Sequence, residues 1–425
     1  MFTTTKRYIN FSYFINFLIS VLPISFIAGN LIINLNIILI ILSSLLYYKN
    51  KIFAFKLLLI DKLIISLFFF TIITALLNNF FSIQMINSIN EYNVLIKTLL
   101  FQRFLVLYFV VRYLIYENVL NLKSLFISAS FCALFVCGSL MYEFIVQYDN
   151  LKSPYKLSGP FGDEYIAGSY LQRFSIFAFF LIPVLFYNKD KKYILLALSV
   201  LFIFIFFSMI VAGNRMPIIL FFLMFIFLFF IEKKLRKYSV IFITSVILFF
   251  VLILFLIPEF YNYTKHFYDR VIEIIVFFTD IIMFGKEPKI TNTYLNEFYS
   301  GYAVWKNNFL IGGGIDSFYS NCVRTVDFCA THPHNYYLEI LSELGMVGFV
   351  LCLIIFFIII KEAVFQKRYL KANLNYNYVI PFIIIFMVEI FPVKTSGSFF
   401  TTGTSSYFFL ILAITVGLNN KLKSN

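Results

Sequence analysis

Residues 193–231 read YILLALSVLFIFIFFSMIVAGNRMPIILFFLMFIFLFFI, two apolar runs on either side of the polar turn Gly213-Asn214-Arg215. Each run approaches the roughly 20 residues that an α-helix needs to cross the hydrocarbon core of a bilayer. Hydrocarbon offers backbone groups no hydrogen-bond partner, so a spanning segment must satisfy them internally, as a helix does. The stretch therefore predicts two transmembrane helices joined by a short turn.

The whole chain follows the same pattern. Of its 425 residues, 61% are hydrophobic and 13% are charged, and the charged share is about half the ~25% that is usual in soluble domains. The formal net charge of +13 lies mainly in short connections between apolar runs. Membrane topology accounts for basic residues in such positions, so nucleic-acid binding is not indicated. We predict an all-α polytopic membrane protein.

Twelve stretches are candidate transmembrane helices. Their approximate limits are 10–28, 31–48, 62–80, 94–115, 122–146, 168–187, 193–212, 216–231, 238–257, 337–360, 377–393 and 404–418. Lysine and arginine concentrate in alternate connections, beginning with Lys6 and Arg7 and ending with Lys421 and Lys423. Because basic loops stay on the cytoplasmic side, both termini are predicted to be cytoplasmic.

The connection 258–336 is far longer than the others, at about 80 residues. Long loops with structure of their own usually carry function. This loop separates residues 1–257, with nine predicted spans, from residues 337–425, with three. Within it, Val271–Phe284 is apolar but too short to cross the membrane, which favours a helix lying at the membrane interface. We therefore expect a periplasmic loop that carries short helices.

The loop ends in Thr331-His332-Pro333-His334-Asn335, which contains two of the three histidines. Proline is favoured in the first turn of a helix, so the tenth span is predicted to begin at about His334. Free N–H groups and the helix dipole favour an anion such as a phosphate at that end. The same dipole disfavours imidazolium, which would leave His334 able to act as a general base. The alternative is a histidine that only caps the helix.

Arginines form the second group of candidates. Arg215 marks an outer turn, where its guanidinium could bind a phosphate or pyrophosphate; the competing interpretation is contact with lipid headgroups. Arg103 and Arg173 lie in or near spans, where charge usually faces the bundle interior, and we expect them to line a path for a lipid headgroup. Asn335 and Glu339 share one face of the tenth span and complete the predicted substrate-binding set.

Cys322 and Cys329 are the only cysteines on the predicted outer side. An oxidising periplasm favours a disulfide between them, which would fix the approach to the histidines. A zinc site formed with His332 and His334 is the alternative. The six residues between the cysteines exceed the usual two to four of a zinc motif, so the disulfide is favoured and no metal is expected.

Four stretches resemble, in order, motifs of the O-antigen ligase and polymerase superfamily. The likeness covers roughly residues 155–350. The stretches are Gly159–Gly168, the turn Gly213-Asn214-Arg215, Trp305 to Phe318 with Gly312-Gly313-Gly314, and His334-Asn335 followed after nine residues by Gly345-Met346-Val347-Gly348.

The resemblance implies a multi-pass glycosyltransferase of the bacterial inner membrane whose active site faces the periplasm. The donor would be an undecaprenyl-pyrophosphate-linked glycan. The acceptor would be a hydroxyl of another glycan or, as the favoured case, of lipid A–core, and no cofactor is implied. By similarity, His334 would activate the acceptor with His332 as a possible helper, and Arg215 would hold the donor pyrophosphate.

One departure from the family pattern concerns the donor site. The family often has an arginine shortly before the loop tryptophan, where this chain has Ser300-Gly301-Tyr302. Arg270 or Lys306 is the candidate replacement. A polymerase and a protein O-oligosaccharyltransferase of the same superfamily remain alternatives. A transporter of lipid-linked oligosaccharide is a more distant one, because transport would not require the long outer loop.

Overall fold

The structure is a computed structural model of the chain. It describes residues 2–81, 91–146, 156–186, 189–232, 236–256, 265, 269, 272–273, 275–276, 279–280, 293–365, 376–394 and 397–424. Across these residues the chain is helical and contains no β-strand.

Sixteen α-helices can be followed through the described residues. They are α1 (Phe2–Ala28), α2 (Asn30–Tyr48), α3 (Leu59–Phe81), α4 (Glu91–Phe101), α5 (Arg103–Tyr116), α6 (Leu122–Val146), α7 (Ala167–Phe174), α8 (Ile176–Leu185), α9 (Lys191–Val211), α10 (Arg215–Ile231), α11 (Arg236–Leu256), α12 (Thr293–Asn307), α13 (Phe318–Thr325), α14 (Tyr336–Ile360), α15 (Tyr376–Glu389) and α16 (Thr402–Ser424).

Every predicted span coincides with one helix or with a pair of helices. Within the described residues, nine stretches are long and apolar enough to cross a membrane, and Arg215–Ile231 and Tyr378–Glu389 are shorter apolar helices. The prediction of an all-α polytopic membrane protein is confirmed. The total of twelve spans stays a prediction.

Two predicted spans are each divided between two helices, which meet at Gln102 and at Ser175. Both residues keep right-handed helical backbone angles, so each pair still forms one stretch long enough to cross a membrane. The Gln102 side-chain amide donates to the Thr71 hydroxyl of α3 at 3.2 Å and joins the two spans.

Helix α16 lies at the centre of the bundle, because 83% of an 18-residue stretch of its span Thr402–Lys421 is buried. It packs against α5, α15 and α2. A Cβ at Gly417 would lie 2.9 Å from the Ile115 side chain. Glycine therefore permits the close approach of α16 to α5, as small residues commonly do between membrane helices.

The described part of the long loop contains α12 and α13, as the prediction of short helices requires. Helix α12 packs along α14, the predicted tenth span, and α13 packs against both. The predicted interfacial helix at Val271–Phe284 lies largely outside the described residues. The loop thus folds back onto the outer end of the bundle, where the candidate site is found.

Candidate functional site

His334 lies just before α14 rather than inside it. The helix begins at Tyr336, two residues later than the sequence predicted, and Asn335 is its N-cap. His334 has a φ of 51°, which places it in the left-handed region. Few residues other than glycine adopt this conformation, although histidine does so more readily than most. It turns the chain sharply after Pro333 and carries the imidazole away from the helix axis.

Asn335 occupies the helix end that was expected to bind an anion. Its side-chain oxygen accepts hydrogen bonds from the backbone N–H groups of Tyr337 at 3.0 Å and Leu338 at 3.2 Å. Its amide nitrogen donates to the carbonyl oxygen of Pro392 at 2.8 Å. Two of the N–H groups at the start of α14 are therefore already bonded, and a phosphate at this end stays a prediction. Asn335 also anchors α14 to the segment that follows α15.

The nearest charged neighbour of His334 in the described structure is Glu297 of α12. The Glu297 Oε1 atom lies 3.6 Å from the His334 Nε2 atom, and the histidine side chain is 37% exposed against 14% for the carboxylate. Burial raises the pKa of Glu297, while a positive charge on His334 would lower it. Sequence reasoning did not identify Glu297, because 36 intervening residues separate it from the histidine.

The His332 ring lies against that of His334, with the ring centroids 4.1 Å apart and the planes tilted by 46°. The Thr331 hydroxyl lies 3.0 Å from the His332 Nδ1 atom. The structure thus brings together the two histidines that the sequence paired. A neighbouring ring of this kind limits the rotation of the His334 imidazole, which agrees with a helper position.

A buried charge cluster follows directly after this turn, where α7, α14 and α15 meet. Glu389, the last residue of α15, lies 2.6 Å from the Arg173 guanidinium and 2.7 Å from the Lys394 ammonium. The Tyr336 hydroxyl donates to Glu389 at 2.9 Å and accepts from Arg173 at 3.2 Å. The Arg173 guanidinium also lies over the Tyr407 ring, 4.9 Å from its centroid.

This cluster carries one more positive than negative charge among the described residues. The side chain of Lys394 is 6% exposed and that of Glu389 is 1% exposed. Burial lowers the pKa of Lys394 to about 8, with Arg173 adding to the effect and Glu389 opposing it. Within the described structure, Arg173 Nε and Glu389 Oε2 are buried without a hydrogen-bond partner. A buried surplus of charge is costly, and a bound anion would balance it.

Lys394 was missed in the sequence, although the signal that drew attention to Arg215 applied to it as well. Both are cations on the predicted outer side, where cations are scarce. Arg173 was predicted to bind substrate, and the structure places it in this cluster. The pairing with Glu389 could not be read from one sequence, because 216 positions separate the two residues.

Glu339 and Arg103 have local partners. Glu339 accepts hydrogen bonds from the Ser398 hydroxyl and, at 2.6 Å, from the backbone N–H of Phe399. It thereby ties α14 to the segment before α16. Arg103 donates to the Thr402 hydroxyl at the start of α16 at 3.1 Å. Both contacts brace the outer ends of helices, so any role in substrate binding for these two stays a prediction.

Arg215 is the first residue of α10 and is exposed. The turn before it is fixed by Asn214, whose side-chain amide donates to the Tyr165 carbonyl at 2.9 Å. A Cβ at Gly168 would lie 2.9 Å from the Asn214 Cβ, so only glycine fits there. The Gly159–Gly168 and Gly213–Arg215 stretches therefore pack together and set the start of α10. Of the two candidate replacements for the family arginine, Arg270 lies outside the described residues, and Lys306 is exposed in the last turn of α12.

Glycines also join the other two stretches that resemble family motifs, Trp305–Phe318 and Gly345–Gly348. Gly312 has a φ of 75° and Gly345 a φ of 64°. A Cβ at Gly312 would lie 2.4 Å from the Glu343 backbone, and one at Gly345 would lie 2.4 Å from the Leu310 backbone. The Met346 N–H donates across this contact to the Phe309 carbonyl at 2.8 Å. The loop before α13 thus enters a kink in α14, which fixes the helix that follows His334.

Cys322 and Cys329 are joined in a disulfide, with their Cα atoms 5.8 Å apart. In this state neither sulfur is a thiolate, the form that binds zinc. Groups of three or more potential metal ligands are absent from the described residues. The disulfide closes the segment between α13 and the histidines.

One family model matches the chain. It describes O-antigen ligase and covers residues 199–353, from α9 through the outer loop into α14. No curated protein matches the chain significantly. The match contains Arg215, Glu297, both histidines and the Gly312–Gly345 contact, whereas Arg173, Glu389 and Lys394 lie outside it.

Proposed function

Because residues 199–353 belong to the O-antigen ligase family, we propose that the protein is a membrane glycosyltransferase of the ligase and polymerase type. It transfers a glycan from an undecaprenyl-pyrophosphate carrier to an acceptor hydroxyl on the periplasmic face of the bacterial inner membrane. The favoured acceptor is lipid A–core. The observation that carries the proposal is His334, a histidine in a left-handed turn that faces a carboxylate and is followed, two residues later, by Tyr336 of the buried charge cluster.

His334 is the general base in this proposal. A neutral imidazole takes the proton of the acceptor hydroxyl as the oxygen attacks the anomeric carbon of the donor. The bond from that carbon to the phosphate oxygen breaks, and undecaprenyl pyrophosphate leaves with the electron pair. Direct attack of this kind inverts the anomeric configuration. The exposed third of the His334 side chain leaves room for the acceptor to approach.

Cations bind the departing pyrophosphate. Arg215 is exposed at the start of α10, and its planar guanidinium can form two parallel hydrogen bonds to one phosphate. Arg173 and Lys394 provide surplus charge in the cluster that contacts Tyr336, two residues after His334. Positive groups held in place before the reaction stabilise the negative charge that develops on the leaving group. Helix α10 packs against α7 and α15, so the three cations lie on adjoining elements.

The decisive experiment is complementation of a deletion strain with the wild-type gene, His334→Ala or His332→Ala. We expect His334→Ala to abolish surface glycan transfer and His332→Ala to reduce it only in part, with both proteins present in the membrane at wild-type levels. The two histidines share a loop and their rings lie against each other, so the activities of the two variants can be compared directly. Full complementation by His334→Ala would contradict the general-base assignment.

The species that accumulate in the deletion strain identify the acceptor. Full-length polymer on the lipid carrier supports a ligase, whereas single repeats on lipid A–core support a polymerase. Loss of glycan from a protein, with lipopolysaccharide unchanged, supports a protein O-oligosaccharyltransferase.

A further inference from the structure

We infer that Glu297 is the positioning residue of the proposed base, orienting the His334 ring and stabilising its protonated form during transfer. This inference rests on the proposed function and adds a residue to it. Glu297 lies outside all four stretches that resemble family motifs.

Packing holds Glu297 against the histidine turn. A Cβ at Gly301, one helical turn after Glu297, would lie 2.9 Å from the Pro333 Cβ and 3.1 Å from the Leu338 Cβ. Glycine thus lets α12 touch the turn directly. Leu295 and Phe298, which lie on α12 with Glu297, pack against Leu338 of α14. The position of the carboxylate is therefore fixed by the elements that fix His334.

The same contact excludes an arginine at Gly301, one of the three positions where the family pattern expects one. A side chain there has no space beside Pro333. At this contact the chain presents the Glu297 carboxylate instead, which faces His334. A negative group beside the base assists proton transfer rather than donor binding.

The two oxygens of Glu297 have different surroundings. Oε1 faces the His334 Nε2 atom at 3.6 Å. Oε2 is buried and has no hydrogen-bond partner among the described residues. A carboxylate that is desolvated and poorly bonded in the resting protein gains most when a positive charge forms beside it. Protonation of His334 creates that charge and strengthens the contact.

The geometry assigns the two ring nitrogens of His334. With Nε2 directed at Glu297, Nδ1 is left to take the proton of the acceptor hydroxyl. The proton thus passes from the acceptor oxygen to Nδ1, and the positive charge on the ring is stabilised by the Glu297 carboxylate 3.6 Å from Nε2. The titratable groups facing His334 in the described structure are Glu297 and His332. A histidine oriented by a carboxylate is the arrangement found in many hydrolytic triads.

The test compares Glu297→Gln, Glu297→Asp and His334→Ala in membranes from a deletion strain. The donor is lipid-linked glycan extracted from that strain, and rates are normalised to folded protein measured by size-exclusion chromatography. We expect Glu297→Gln to lower kcat on the order of 10- to 100-fold, less than the ~10⁴-fold of tightly bonded triad carboxylates. The KM for the donor should be unchanged, and Glu297→Asp should recover part of the rate.

The matched control is Asp316→Asn, which removes an exposed carboxylate paired with Lys97 at 3.3 Å. Asn also tolerates the φ of 70° at this position. We expect Asp316→Asn to have the wild-type kcat. If His334→Ala is inactive while Glu297→Gln keeps wild-type kcat, the inference on Glu297 is overturned and the proposed function stands. A rise in KM with unchanged kcat would likewise overturn it. If His334→Ala retains activity, the proposed base itself fails.

Discussion

Two buried charge clusters lie at predicted opposite ends of the bundle and differ in their balance of charge. The inner cluster joins Asp61 near the start of α3 to Arg112 and Tyr108 of α5. It contains one carboxylate and one guanidinium, and both oxygens of Asp61 are bonded, since Leu58 N–H donates to the second at 2.7 Å. The outer cluster of Arg173, Glu389 and Lys394 contains two cations for one carboxylate.

We propose that the inner cluster stabilises the fold and that the outer cluster binds an anionic ligand. A buried ion pair resists the removal of either partner, because the other is then left charged and buried. A buried cation in excess of its carboxylate destabilises the folded protein, so we expect its removal to leave stability unchanged or to raise it. The first two predictions test these opposite responses directly.

The largest expected effect is loss of stability when the inner pair is broken. Arg112→Met leaves the Asp61 carboxylate buried with Tyr108 and a backbone N–H but without a cation. We expect the free energy of unfolding to fall by about 3–5 kcal/mol, measured as a lower midpoint of thermal unfolding in detergent. The double variant Asp61→Asn/Arg112→Met should regain much of this loss. Equal midpoints for wild type and Arg112→Met would remove the contrast between the clusters.

The second effect is loss of activity without loss of stability. Lys394→Met removes the surplus cation and leaves Arg173 and Glu389 as a balanced pair. We expect kcat/KM for the lipid-linked donor to fall about 100-fold, which corresponds to about 2.7 kcal/mol of transition-state stabilisation. The unfolding midpoint should stay at or above the wild-type value. A fall in the midpoint like that of Arg112→Met would show that Lys394 is structural.

The features predicted from the sequence are those set by local composition. Apolar length located every span as a helix, because the requirement for internal hydrogen bonding in lipid acts on each segment separately. The start of α14 was displaced because Asn335 caps the helix and excludes His334 from it. The site was predicted in part, through His334 and Arg173. Glu297 was missed because its contact with His334 joins residues far apart in the chain, whereas Lys394 was missed although it is a cation on the predicted outer side.

The smallest expected effect is a dependence of donor use on pH that comes from Lys394. Its pKa is lowered by burial from 10.5 to about 8. The ammonium is therefore charged below about pH 8 and becomes neutral above it. If the charge binds the donor pyrophosphate, kcat/KM should fall as the pH rises past 8, by about tenfold at pH 9. Lys394→Arg keeps its charge over this range, so its profile should stay flat there.

Stability should change in the opposite direction over the same range, which separates donor binding from unfolding. The unfolded chain binds the Lys394 proton more tightly than the folded protein does. The free energy of unfolding therefore increases as the pH rises from about 8 towards 10.5. A fall in activity above pH 8 with a constant or rising unfolding midpoint assigns the loss to the outer cluster. The same fall in Lys394→Arg would contradict the assignment, because arginine does not lose its proton at that pH.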